Sequence, residues 1–146
     1  MRKRMITIFL CSLFVFAVVS IGMYLVFFFN MINSDFTTEA VLKFSAPDNE
    51  IGIFVVQSFQ LTDYRDINEL KKIFRGRALR DSPSCGFVTT VSITMKGREN
   101  NSFCIALDGC PIVRVNNSDR FMVISYSQRE IIDNLFARYG FAFPAI

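Results

Sequence analysis

Three cysteines in the second half of the chain, Cys85, Cys104 and Cys110, have types and spacing that could do chemistry. Thiolates hold soft metals, attack electrophiles or pair as disulfides. Their spacing matches no standard zinc pattern. The chain has 0 His, so the usual general base and the commonest nitrogen ligand of zinc are missing. Asp108 beside Cys110 suggests an activated thiol, but Asp108-Gly109 between apolar runs is explained by a turn. No Asp/Glu pair or lysine is set up by spacing for acid–base work. A catalytic site, a metal and a cofactor are therefore not expected.

Alternation decides which cysteines can meet. With Asp108-Gly109 as a two-residue turn, Leu107 lies opposite Cys110, and opposed residues share a face. Cys110 then joins Phe103, Ile105 and Leu107 on the core side, while Cys104 points the other way. Cys85 shares parity with Phe87, Val91, Ile93 and Met95, which puts it on the core face if that strand extends so far. This favours a Cys85–Cys110 disulfide with Cys104 left over. Three buried free thiols is the rival reading and stays open.

Lys71, Lys72, Arg75, Arg77 and Arg80 form a second group, around the C-terminal end of an expected helix. Solvation and the helix dipole account for most of it; contact with anionic lipid headgroups or an acidic partner is the sharper reading.

The element that must place all of these is the run 5–32, which contains no charged residue. A bilayer core needs about 20 apolar residues, and a signal peptide has an apolar region of only about 7–15. The expectation is an uncleaved transmembrane signal anchor over 5–32, after a basic tag at 1–4 and before a short tether at 33–39. Arg2, Lys3 and Arg4 precede it, so the positive-inside rule keeps the N-terminus cytoplasmic and sends residues 33–146 out. Net charge is +3 from 16 basic and 13 acidic residues. The three basic residues of the tag account for that excess, so the exported part is neutral and nucleic acid is not an expected partner.

Residues 40–146 suffice for one modest core. Strands are expected over 40–44, 51–59, 87–95, 103–107, 110–115 and 121–124, from β-branched and aromatic runs between turn signals. Two helices interrupt them. Ile67, Leu70, Ile73 and Phe74 recur at helical spacing after a Thr62 or Asp63 cap, with Gly76 as the stop. Ser127 and Glu130 have capping-box spacing, Tyr126 and Ile131 fit a hydrophobic staple, and Ile131, Ile132, Leu135, Phe136 and Tyr139 make a stripe. The fold class that follows is α+β: a transmembrane helix, then an antiparallel sheet of about four to six strands with two helices packed on it.

The run from Ser84-Cys85-Gly86-Phe87 through Ile105-Ala106-Leu107-Asp108-Gly109-Cys110-Pro111, ending in Arg138-Tyr139-Gly140 and Phe143-Pro144, resembles small exported or membrane-anchored bacterial domains. The resemblance implies a two-cysteine α+β unit and no chemistry. The leading function is a membrane-tethered, extracytoplasmic, non-catalytic binding or accessory module, with membrane lipid and another envelope protein as partners. The alternative is a small membrane-anchored immunity or inhibitor protein.

Overall fold

A computed structural model describes the backbone of residues 2–47 and 54–144, with side chains for 9, 11–26, 30–46 and 54–144. The chain divides into two compact units, Met1–Met31 and Ile32–Ile146. The first is one helix, α1 (Arg2–Phe29). Its described side chains, Phe9 and Cys11 to Val26, are all exposed. Among the described residues no helix is long and apolar enough to cross a membrane. The transmembrane helix expected over 5–32 is corrected accordingly.

The second unit is built on antiparallel strands. β1 (Met31–Ile32) pairs with β4 (Gly76–Arg77) in a small sheet of their own. The main sheet has seven strands: β2 (Thr37–Pro47), β3 (Phe54–Leu61), β5 (Leu79–Arg80), β6 (Phe87–Gly97), β7 (Asn101–Ala106), β8 (Ile112–Val115) and β9 (Arg120–Val123). Their order is β3-β2-β6-β7-β8-β9-β5. The expected four to six strands are thus too few. The addition is β5, two residues long and between the first expected core helix and the strand expected from 87, held by pairing Leu79 with Phe121 and Arg80 with Arg120. A strand that short has no periodicity to read; its partner defines it. The start of the second expected strand, 51–53, lies outside the described residues.

One face of the sheet carries the core. Leu42, Phe44, Ile93, Met95, Phe103, Ile105, Val113 and Val115 are buried there with Ile67, Leu70, Ile73 and Phe74 from the first core helix and its end, and Ile132, Leu135 and Phe136 from the second. The two helices are α2 (Tyr64–Ile73) and α3 (Tyr126–Arg138). The Phe74 and Phe103 rings stack at 4.0 Å, fixing the end of α2 on the sheet. The buried Asp66 carboxylate accepts from Arg138 at 2.7 Å, tying α2 to α3.

Asp63 caps α2, its carboxylate accepting from the Arg65 N–H at 2.8 Å. In α3 the capping box lies two residues before the expected one. Ser125 Oγ accepts from the Gln128 N–H at 3.1 Å, and Gln128 Oε1 accepts from the Ser125 N–H at 2.8 Å. Ser127 lies inside the helix and shares a hydroxyl contact with Ser125 at 2.9 Å. Both serines have a Gln or Glu three residues on, so spacing alone cannot choose between them. Burial of Ile124, 4% exposed, decides it by fixing where the chain leaves β9. The expected staple fails with it: Tyr126 and Ile131 are exposed. Ser125→Ala should lower stability by about 1 kcal/mol, while Ser127→Ala should change it by less than about 0.5 kcal/mol. Denaturant midpoints of the two variants check this, and equal losses would return the cap to Ser127.

The β7–β8 hairpin also departs from expectation. Ile105 pairs with Val113, so the connection spans Leu107 to Pro111 rather than two residues. Gly109 alone there has positive φ, +70°, whereas a type I′ turn needs two such residues. Pro111 cannot donate to the ladder; its carbonyl instead accepts from the Ile124 N–H at 2.9 Å. Leu107 therefore does not oppose Cys110. A register shift in β6 between Phe87 and Ser92 breaks the other expected parity, that of Phe87 with Val91 and Ile93.

Candidate functional site

Cys85 and Cys110 form a disulfide, with Cα atoms 6.1 Å apart. The pairing expected from parity is present, although the hairpin register differs from the one used to expect it. What brings the cysteines together is Asp108. Its carboxylate accepts from the Gly86 N–H at 2.8 Å and the Cys110 N–H at 3.3 Å, bracketing the bridge from both sides. Leu107 N–H donates to the Gly86 carbonyl at 2.8 Å, closing the same loop. Cys85 and Cys110 sulfurs and an Asp108 oxygen lie within 4.8 Å of one another, a cluster that could hold a metal ion by distance. In the disulfide neither sulfur is a thiolate, and a metal needs thiolates.

The backbone N–H of Gly86, then that of Cys110, hold the Asp108 carboxyl below its ordinary value of 3.8 against a smaller opposing effect of burial. A folded-state pKa below the unfolded one adds stability that is complete above the unfolded value and lost as pH falls through the folded one. Wild type should therefore lose its advantage over Asp108→Asn as pH drops below about 4. Melting temperatures of both proteins across that range test this; a constant gap would remove Asp108 from the acid response.

On the sheet face opposite the helices one row of side chains crosses all seven strands. Ser58, Lys43, Ser92, Cys104, Arg114, Phe121 and Leu79 are successive cross-strand partners. Cys104 is a free, buried thiol on this face, as its parity predicts. Burial pushes its pKa up, only partly offset by the Arg114 charge and hydrogen bond. The shift disfavours the thiolate, the form that acts as nucleophile or metal ligand. Arg114 lies with its guanidinium carbon 5.7 Å from the Phe87 ring centroid, and Phe87 is 5.4 Å from Phe121. Asn117 accepts from Arg114 Nη2 and steadies it. Val123, 75% exposed, and the exposed Leu79 flank the group. Arginine stacked with aromatics beside exposed aliphatics is the composition enriched at protein interfaces.

Neither Arg114 nor Phe121 was singled out by the sequence. Arg114 alternates with Val113 and Val115, so its face was legible, but its ring neighbours depended on the β6 register shift.

A concavity of about 410 Å³ is lined by Gly109, Arg129, Asp133, Asn134, Ala137, Ala142, Phe143 and Pro144. Arg129 is 3% exposed and structural. It donates to Asp133 at 2.7 Å and to the Cys110 carbonyl at 2.9 Å, and lies 4.5 Å from the Phe143 ring centroid. It thereby anchors the disulfide loop and the C-terminal segment to α3.

The expected basic group is spread over α2, the loop after it, β4 and β5. Arg75 pairs with Asp35 at 3.5 Å, Arg80 with Asp119 at 3.3 Å, and Lys71 Nζ lies 5.8 Å from the Tyr64 ring centroid. Lys72 and Arg77 are exposed. Arg2, Lys3 and Arg4 begin α1, with side chains outside the described ones. Comparison with protein-family models, curated proteins and solved structures finds no match.

Proposed function

We propose that this chain is a non-catalytic binding or accessory module, acting outside the cytoplasm, that docks another envelope protein on the sheet face opposite its helices. The observation that carries this reading is the Arg114–Phe87–Phe121 cluster, with Leu79 and Val123 exposed beside it. A buried core residue of this kind would face the helices; these face away from them. The extracytoplasmic setting is supported by the Cys85–Cys110 disulfide, a bond that persists in oxidising compartments. The raised pKa of Cys104 and the absence of histidine speak against nucleophilic chemistry on the same face.

The test is a photo-crosslinking residue at Val123 in the full chain, irradiated in envelope membranes of the source cells. One protein adduct should form, should vanish in Arg114→Glu with the melting temperature unchanged, and should survive Lys72→Ala. An adduct indifferent to Arg114→Glu, or none at all, overturns the reading.

A further inference from the structure

We infer that a second copy of this chain pairs along β3, antiparallel and about a two-fold axis, so that two seven-stranded sheets continue into one. This surface is an edge, distinct from the partner-binding face above, and the inference does not depend on that face.

β3 is terminal in the sheet order, and among the described residues no strand pairs with its outer side. Its inner side pairs with β2 over eight consecutive residues with no register shift. An open edge this long is ordinarily guarded by lysine, proline, a bulge or an inward charge. Phe54–Leu61 reads FVVQSFQL and has none of these. Phe54 is 73% and Val56 46% exposed. The opposite edge, β5, is guarded: it has two residues, one of them Arg80 in an ion pair with Asp119.

The occupant follows from this asymmetry and from the side chains. A two-fold axis perpendicular to the sheet keeps the helices of both copies on one side and pairs one residue with itself. With Gln57 on that axis, Val55 meets Phe59 of the second copy on the helix side. On the other side Val56 meets Ser58 and Phe54 meets Gln60. No charges oppose one another, as an isologous contact requires, because the strand has none. Since β5 cannot propagate the sheet, one pairing consumes the open edge and assembly stops at two.

The experiment uses the full chain in mild detergent, with mass measured by light scattering after size exclusion. A dimer is expected. Val56→Lys, and independently Gln60→Lys, should raise its dissociation constant at least about tenfold, because each change enters a two-fold interface twice. Their melting temperatures confirm folding. In a Cys11→Ser background, Gln57→Cys, which faces itself across the axis, should link two chains on oxidation, since facing antiparallel residues lie about 4.5–5.5 Å apart at Cα. A monomeric wild type, the result expected if β3 instead takes a strand from an unrelated protein, overturns the proposal. So does a dimer that both lysine variants leave intact, which would lie elsewhere, α1 included.

Discussion

Cys85→Ser lowers the stability of the Ile32–Ile146 unit by about 3–4 kcal/mol. The bridge closes a loop of 25 residues, and in the chain-entropy model its removal returns that conformational freedom to the unfolded state. The native cost is concentrated in one place. The segment before Cys85 is irregular and Phe87 begins β6, and the bridge, Asp108 and the Gly86 carbonyl hold the strand entry against the β7–β8 hairpin together with the Phe87–Ala106 pairing and the Phe87–Arg114 contact. Urea titrations of wild type with and without reductant, beside Cys85→Ser, measure the effect. Reduced wild type and the variant should coincide. If reduction leaves the midpoint unmoved, the Asp108 hydrogen bonds hold the loop alone.

Phe136→Ala should cost about 3–5 kcal/mol, the loss expected for a fully buried phenylalanine with its cavity. The ring is 0% exposed. It meets Phe44 from the sheet at 6.0 Å, Phe141 at 5.7 Å and Phe143 at 5.3 Å between centroids. Truncation therefore removes the contact that seats α3 on β2 and the one that folds the C-terminal segment back. That segment also holds through the Phe141–Phe44 ring contact, 5.2 Å between centroids, the Phe141 N–H to Phe136 carbonyl bond, 3.1 Å, and the Arg129–Phe143 contact. Ile131→Ala, on the exposed side of the same helix, should stay within about 0.5 kcal/mol. Equal losses for the two would mean that helix propensity, not ring packing, sets the response.

Much of this architecture was legible in the chain because its signals are local. Ile67, Leu70, Ile73 and Phe74 recur at helical spacing and are buried as that spacing requires. The alternation around Cys104 placed its thiol away from the core, and that thiol is free. Other features depended on which distant backbone arrived opposite. The α3 cap moved from Ser127 to Ser125 because both carry the same local pattern and the exit from β9 chose between them. Phe87 left the core parity because β6 shifts register against β7 before Ser92. That shift is what puts its ring against Phe121 and Arg114 and creates the candidate surface.

The sequence by itself determined the two core helices and the longer strands, which of their residues are apolar, and a preference for a Cys85–Cys110 bridge over three free thiols. Only the tertiary structure decided the order of the strands, and with it that β3 ends the sheet and β5 closes the other side. The reason is physical. Periodicity is carried by each strand's own side chains and survives any rearrangement of its neighbours. The free edge of a sheet is set by backbone N–H and C=O groups, alike in every residue but proline. An edge strand is therefore recognised by what fails to lie beside it.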